Sequence, residues 1–358
     1  FLYEPDSGAA DDPFVEVHVY HHATQACRWF EDVHGHTFDG PIHITTNYRE
    51  EPGGSYNNAY MSYDQMGNTI LVFGQGYVDF GYDADVVVHE LGHSIIYDTT
   101  SFMSDFLPYD EYGRNDAPGA IHEGIADYWA GTFFDSAVVG EYYGGRDLEN
   151  DNACPADLYG EVHEDGKIVG GAMWDVRENL GAEAADEVVY GMLQGLSPSP
   201  SFAEVALLAL ELGADLVADG DVAQADLDAA QAALDERGIT QCGRSIPVAL
   251  DEPTEYSAMH FFGMPELPGQ FCDMARESGI TFPLGTQFAF TVPEESEGIV
   301  EAIDIQIGML RVDGQVLGAD DLLYTWYLRK DELVTLKYTD IPTEMGMDVP
   351  SPEGDEFD

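Results

Sequence analysis

The stretch that decides the fold is residues 84–97, which read ADVVVHELGHSIIY. This stretch predicts a helix, on which residues four apart lie on one face. His89 and His93 can therefore reach a single metal ion. Glu90 is then placed to take a proton from an attacking water, the chemistry that a bound zinc ion promotes. The competing interpretation is an exposed helix with two incidental histidines.

A third metal ligand comes from a second predicted helix, over 117–134, which contains the run GAIHEGIADYWAG. Glu123 and Asp127 lie four residues apart and share one face of this helix. We expect Glu123 to bind the metal and Asp127 to accept the N–H of a ligating histidine. His122 is expected to point elsewhere, as a solvated or substrate-facing side chain. A metzincin arrangement is excluded, because Thr99 stands where that class has its third histidine.

The order of these motifs resembles that of the gluzincin metallopeptidases of the thermolysin and fungalysin type, in which HExxH is followed by a helix with ExxxD. In this chain the second motif reads HEGIAD at 122–127. The resemblance covers residues 50–240 and implies a thermolysin-like two-lobed domain with Zn²⁺ in the cleft. Its β-rich lobe would end at residue 83, and its helical lobe would occupy 84–245. The connector between the two motifs is longer than in thermolysin.

Three further segments are similar to segments of the same family and imply roles for their residues. Asn58 and Ala59 resemble the edge strand that pairs with an extended peptide substrate. His163, in the run VHEDGKIVGGAMW, matches a histidine that donates to the developing oxyanion. Arg146, in GRDLEN, matches an arginine that binds a substrate carbonyl and braces the glutamate ligand. The alternative for Arg146 is a surface ion pair.

Two more family positions are matched less closely. The family uses a tyrosine between the two helices as a second oxyanion donor. Tyr109 and Tyr112 are both candidates, and we assign the role to Tyr112. Asp85 matches a position that binds structural Ca²⁺, although an acid at a helix N-terminus explains Asp85, or its neighbour Asp83, equally well.

The composition is strongly acidic, with 13 basic and 68 acidic residues and a formal net charge of −55. Such a surface repels nucleic acid and anionic membranes, so neither is an expected partner. Two explanations are open: adaptation to high salt, where self-repulsion is screened, or carboxylate clusters that bind Ca²⁺. We favour general surface adaptation with a few calcium sites within it. No apolar run is long enough to predict a membrane span.

The predicted fold class is α+β, with a catalytic domain over 1–245. Its β-rich runs lie over 41–80, and its remaining helices are predicted over 15–30, 166–179, 184–193, 201–217 and 223–237. Residues 246–345 alternate β-formers with Pro and Gly turns, which predicts an accessory β-domain built as a sandwich. The tail over 346–358 is rich in Pro, Glu and Asp and is predicted to be disordered.

The four cysteines allow two disulfides, and we expect Cys242 to pair with Cys272 and Cys27 with Cys154. None of them has CxxC spacing, so a thiolate zinc site is not expected. The first residue, Phe1, predicts a processed chain from which a targeting segment has been removed.

Six histidines lie close together in the N-terminal part of the sequence. Their spacing is irregular, so a second metal site is not expected among them. They are His18, His21, His22, His34, His36 and His43.

Together the motifs predict a secreted, monomeric zinc endopeptidase that acts on peptide or protein substrates. Two alternatives stay open. An aminopeptidase would need an acidic anchor for the substrate amine, and no GxMEN-like segment precedes HELGH. A catalytically silent binding module, retained for its β-domain, is disfavoured because inactive relatives usually lose the glutamate base that this chain keeps.

Overall fold

The computed structural model describes residues 3–38, 40–50, 54–100, 109–110, 112–249 and 287–291, together with strand segments at 309–310, 316–317, 326–328, 335–339, 349–353 and 355–357. Within these residues the chain forms seven α-helices and several small β-sheets, which makes it an α+β protein as the sequence predicts. It divides into two compact units. The first consists of Phe1–Phe106, Asp116–Gly243 and Ser257–Met259, and the second of Leu107–Asn115, Arg244–Tyr256 and His260–Asp358.

The first unit begins with helix α1, Pro13–His34. Asp12 caps its first turn by accepting a hydrogen bond from the backbone N–H of Phe14, and Gly35 ends it in the left-handed conformation at φ 63°. Both signals lie outside the predicted helix over 15–30, which explains why the observed helix is longer. The buried face of α1 consists of Val15, Val19, Ala23, Ala26 and Phe30.

A small three-stranded sheet follows α1. Its strands are β1 (His43–Tyr48), β2 (Ala59–Tyr63) and β3 (Thr69–Gly74). β3 is central, parallel to β1 and antiparallel to β2. β2 is therefore an edge strand of the sheet that the described residues form. In the described residues, the lobe that the sequence predicts to be β-rich thus contains one long helix, this small sheet and a short 3₁₀ helix, Phe80–Tyr82.

Six further helices make up most of the rest of the first unit: α2 (Ala84–Thr99), α3 (Ala117–Phe134), α4 (Val162–Leu180), α5 (Ala182–Gly195), α6 (Phe202–Asp219) and α7 (Gln224–Glu236). All six lie where the sequence predicts them, with differences of a few residues at their ends. Between α3 and α4, the short strands β6 (Val138–Val139) and β7 (Arg146–Asp147) pair with each other. Of the helices described, none combines the length and the apolar character that crossing a membrane requires.

Side-chain caps fix the start of the two helices that matter most for the site. Asp83, rather than Asp85, caps α2, since its carboxylate accepts a hydrogen bond from Asp85 N at 3.1 Å. Glu161 caps α4 by accepting from the N–H groups of His163 and Glu164. α4 therefore begins earlier than the predicted 166, and His163 lies in its first turn.

Helices α2, α3 and α4 pack closely because glycines line their contacts. A Cβ added at Gly124 would lie 2.4 Å from the carbonyl oxygen of Gly166, and one added at Gly166 would lie 3.0 Å from Glu123 Cβ. A Cβ added at Gly92 would lie 3.3 Å from Ala126 Cα. These approaches bring α2 and α4 against α3 where it carries Glu123. Fully buried side chains around them include Leu91, Ile95, Ile121, Ile125 and Trp129.

One disulfide lies among the described residues of the first unit, between Cys154 and Cys242, whose Cα atoms are 5.5 Å apart. The predicted pairing of Cys27 with Cys154 is therefore wrong, and so is that of Cys242 with Cys272. Cys27 is a free, half-buried thiol on α1, and Cys272 lies outside the described residues. The observed bond follows from the path of the chain after α7, where Cys154 N donates to the carbonyl oxygen of Arg237 at 2.8 Å.

The described part of the second unit consists of short paired strands. β4 (Tyr109–Asp110) and β5 (Gly113–Arg114) form an antiparallel pair, and β8 (Ser245–Pro247) pairs in parallel with β9 (Gln287–Ala289). Three antiparallel pairs follow: β10 (Met309–Leu310) with β11 (Val316–Leu317), β12 (Trp326–Leu328) with β15 (Asp355–Phe357), and β13 (Thr335–Thr339) with β14 (Val349–Glu353). The arrangement of residues 246–345 as a β-sandwich stays a prediction.

Two parts of the chain differ from the predicted domain plan. Residues 107–115 group with the second unit, although the predicted catalytic domain includes them. The guanidinium of Arg244 lies 5.9 Å from the centre of the Tyr112 ring, which ties the β4–β5 hairpin to that unit. The tail over 346–358, which the sequence predicts to be disordered, contains the strands β14 and β15. Its prolines are compatible with the edge strand of a two-stranded pair.

Candidate metal centre

The two histidines of HELGH and Glu123 converge at one point between α2 and α3. The rings of His89 and His93 have their centres 4.5 Å apart. His89 Nε2 lies 3.3 Å from Glu123 Oε2, and His93 Nε2 lies 3.5 Å from Glu123 Oε1. Among the described residues, this trio is the group of His, Cys, Asp and Glu side chains that places three ligand atoms within 4.8 Å of one another. The structure thus confirms that the three residues could together hold a metal ion.

A buried carboxylate fixes the ring of His89 from behind. Asp127 Oδ1 lies 2.8 Å from His89 Nδ1, the contact predicted for a group that accepts its N–H. Arg146, on β7, reaches the same oxygen from Nη2 at 2.6 Å. Arg146 therefore braces Asp127 by a hydrogen bond, whereas its interaction with Glu123 is through charge. The physical reason is that the guanidinium offsets the cost of burying the Asp127 carboxylate, which is only 3% exposed. A contact of Arg146 with a substrate carbonyl stays a prediction.

A third histidine, His122 on α3, stands behind His93. It is buried, and its Nδ1 lies 2.6 Å from His93 Nδ1. If His93 binds a metal through Nε2, its Nδ1 carries the hydrogen and His122 accepts it. The expectation of a solvated His122 is wrong, because the turn of α3 that aims Glu123 at the histidines also turns its neighbour onto His93. In the sequence, only its position next to Glu123 indicated that His122 could lie close to the histidines of the motif.

The remaining atoms of the cluster fit a metal ion. Each motif histidine uses Nδ1 for a partner on α3, which leaves both Nε2 atoms facing the carboxylate of Glu123. Glu123 Oε2 is buried and accepts no well-aligned hydrogen bond from the described residues, although His89 Nε2 and His163 Nε2 lie 3.3 Å and 3.5 Å from it. A buried carboxylate oxygen without a donor is costly unless a cation completes its environment. The cluster therefore offers three ligands to a divalent ion.

Burial and neighbouring charges set the protonation of this cluster. Burial favours the neutral form of His89, but Asp127 and Glu123 outweigh it and raise the pKa of His89 to about 10. Burial would raise the pKa of Glu123, yet His93 and His89 hold that pKa well below its usual value. Glu123 is thus kept as an anion, which is the form that binds metal.

The predicted base and the predicted oxyanion donor lie beside the cluster. Glu90 is buried, and burial raises its pKa to about 7. His163 is half exposed, and its Nε2 lies 3.5 Å from Glu123 Oε2. Glu161 Oε1 lies 2.7 Å from His163 Nδ1, and this hydrogen bond raises the pKa of His163 and orients the ring. His163 therefore reaches the carboxylate of Glu123, and Glu90 interacts by charge with His89 and Glu123.

The predicted substrate strand packs against α2, the helix that carries the motif. Ala59 begins β2 and is buried, and the carbonyl oxygen of Asn58 accepts a hydrogen bond from Gly74 N at 2.9 Å. Burial raises the pKa of the nearby Tyr56, and the charge of Glu90 raises it further. Tyr56, just before β2, therefore lies near Glu90, and pairing of the outer edge of β2 with a peptide stays a prediction.

The last two predicted site residues have other contacts. Tyr112 belongs to the second unit, and its role as an oxyanion donor stays a prediction. Asp85 is buried at the start of α2 and accepts a hydrogen bond from Gly140 N at 3.1 Å. Burial and a hydrogen bond with Glu141 raise the pKa of Asp85 to about 7. Calcium binding by Asp85 also stays a prediction.

Comparison with models of known protein families gave no match for this chain. Comparison with curated proteins gave no match either. The function must therefore be argued from the geometry and chemistry of the site itself.

Proposed function

We propose that this chain is a zinc-dependent endopeptidase of the gluzincin, thermolysin-like type. The observation that carries the proposal is the convergence of His89, His93 and Glu123, with Glu90 buried beside them. Two imidazoles and one carboxylate form a donor set that suits zinc. A zinc ion bound there supplies Lewis acidity, which polarises a carbonyl group and makes water more acidic.

Different residues of the chain carry out the proton transfers and stabilise the developing charge. Glu90 takes the proton of the attacking water and delivers it to the leaving amine. His163 donates a hydrogen bond to the carbonyl oxygen of the substrate as negative charge develops on it. Asp127 and Arg146 hold the ring of His89 in the orientation that leaves Nε2 available.

The outer edge of β2 provides a way to bind the substrate. Main-chain hydrogen bonds from Asn58 and Ala59 to an extended peptide give affinity that depends little on sequence, which suits an endopeptidase. The same proposal includes Tyr112 as a second oxyanion donor and Ca²⁺ at Asp85. We further propose that the enzyme is monomeric and secreted.

Hydrolysis of a denatured protein tests the proposal, with Glu90→Gln as the central variant. We expect the turnover rate to fall about 10²- to 10⁴-fold, because a positioned general base contributes on that order. Zinc content, measured by atomic emission, should be unchanged, since Glu90 is not a ligand. Glu187→Gln makes the same chemical change at an exposed position of α5 and should keep full activity.

Three results would contradict the assignment. Cleavage that persists in the presence of 1,10-phenanthroline would remove the metal from the mechanism. A Glu90→Gln variant with an unchanged rate would remove Glu90 as the base. Zinc binding without hydrolysis in the unmodified chain would favour the catalytically silent module instead.

A further inference from the structure

A second pair of histidines repeats the spacing of the HELGH motif. His18 and His22 lie four residues apart on α1, and their ring centres are 4.4 Å apart. The corresponding separation of His89 and His93 is 4.5 Å. Residues at this spacing share one face of a helix, so the α1 pair is also placed to reach one ion.

A backbone carbonyl fixes the ring of His18 in the tautomer that a metal ligand needs. His18 Nδ1 lies 2.9 Å from the carbonyl oxygen of Gly81. Because a carbonyl only accepts, Nδ1 carries the hydrogen and Nε2 keeps its lone pair. Ligating histidines are commonly oriented in this way by a carbonyl or carboxylate behind the ring. A Cβ at Gly81 would lie 2.3 Å from Val15 Cγ2, so this segment is held close against α1.

The ring of His22 is half-buried beside His18. Its centre is 5.0 Å from that of His21 and 5.9 Å from that of Phe134. Burial, followed by the neighbouring histidines, lowers the pKa of His22 to about 4, and burial also lowers the pKa of His18. Both rings are therefore neutral near pH 7, with lone pairs free to bind a cation.

Aromatic packing is the competing explanation for this arrangement. Phe14 stacks on His18 at 5.5 Å, and Phe134 flanks His22. Packing accounts for the positions of the rings. Phe or Leu at these two positions would pack as well as His or better. A half-buried neutral imidazole still carries polar nitrogens, which lose contact with water.

The sequence analysis expects no second metal site among the N-terminal histidines, but on the geometry of α1 we propose that His18 and His22 form one, which takes a late first-row divalent ion such as Zn²⁺, Ni²⁺ or Cu²⁺. Imidazole nitrogens prefer these ions to Mg²⁺ and Ca²⁺, which prefer oxygen. His21 is exposed three residues from His18, but the three histidines do not bring three ligand atoms within 4.8 Å of one another, so the site offers two nitrogens. With two fixed protein ligands instead of three, the α1 site binds more weakly than the centre at His89, His93 and Glu123.

Calorimetric titration of the metal-free full chain with Zn²⁺ tests this proposal. Millimolar Mg²⁺ in the buffer occupies carboxylates of the acidic surface, so that only nitrogen-containing sites are counted. We expect two binding events, the second weaker by about tenfold or more, since even an outer partner of a metal ligand changes affinity by 10- to 100-fold. His22→Ala and His22→Phe should each abolish the second event. His22→Phe retains an aromatic ring beside Phe134 and so separates binding from packing.

His43→Ala is the matched control, because His43 is an exposed histidine on β1 and should leave both events intact. The double variant H89A/H93A should lose the tight event and keep the weak one, so this proposal and the proposed peptidase activity can fail separately. A single binding event in the unmodified chain would overturn the α1 site. So would a weak event that survives in a folded His22→Phe chain, with folding checked by circular dichroism.

Discussion

The histidine pair on α2 and the pair on α1 share a spacing but not an environment. His89 and His93 face the buried carboxylate of Glu123, which comes from a different helix. Among the described residues, no carboxylate joins His18 and His22 in a comparable group of three ligand atoms. The comparison teaches that helical spacing supplies two nitrogens, whereas a neighbouring helix supplies the carboxylate and the burial of a cluster that could hold a metal ion.

The largest expected effect comes from Glu123→Gln, which removes the difference between the two pairs. Glutamine keeps the shape of the side chain and loses its charge. The affinity of the centre for Zn²⁺ should fall by more than about 100-fold, because outer partners of a ligand alone are worth 10- to 100-fold. Competition with a fluorescent zinc chelator measures the affinity, and Glu187→Gln serves as the control. An unchanged affinity would show that the carboxylate is not what distinguishes the α2 pair.

His122 allows a second test of the comparison. The Nδ1 of His93 contacts the side chain of His122, whereas the Nδ1 of His18 contacts the backbone carbonyl of Gly81. His122→Ala should weaken Zn²⁺ binding about 10- to 100-fold, since His93 loses the acceptor for its Nδ1–H. His122→Asn should restore most of the affinity, because its amide oxygen can accept the same hydrogen. The absorption spectrum of the Co²⁺-loaded protein reports whether coordination is retained. Full affinity in the Ala variant would contradict the assigned role.

The smallest expected effect comes from a change at Asp79, which holds the segment that orients His18. Its carboxylate accepts a hydrogen bond from Gly81 N at 3.1 Å, in the segment whose carbonyl orients His18. Asp79 is 1% exposed, and burial raises its pKa from 3.8 to about 6. The folded state therefore holds this proton more tightly than the unfolded state does. Stability from this group is present at low pH and is lost as the pH rises through about 6.

Asp79→Asn should remove that loss, because asparagine keeps the acceptor and does not ionise. Between about pH 4.5 and about pH 7.5, the free energy of unfolding of the unmodified chain should fall by about 2 kcal/mol relative to the variant. Urea unfolding at several pH values measures the difference. Asp11→Asn, at an exposed position, is the control and should follow the unmodified chain. Parallel pH profiles for Asp79→Asn and the unmodified chain would refute the assignment.

The positions of the helices follow largely from the sequence, because each has local signals at its ends. Asp12 and Gly35 bound α1, and Ser201 caps α6 by accepting from Glu204 N. The candidate metal ligands His89 and His93 are found in the same way, since a four-residue spacing fixes which side chains share a helix face. The disulfide between Cys154 and Cys242 could not be predicted, because spacing does not restrict which of several cysteines meet.

The sequence by itself determined the helices and the pairs His89/His93 and Glu123/Asp127, because both depend on interactions within a few residues of the chain. Only the tertiary structure decided that Arg146 holds Asp127, that His122 stands behind His93, and that the Gly81 carbonyl orients His18. Each of these contacts joins separate elements. They depend on how closely the helices pack and on which buried polar groups must satisfy one another, and neither is encoded in local spacing.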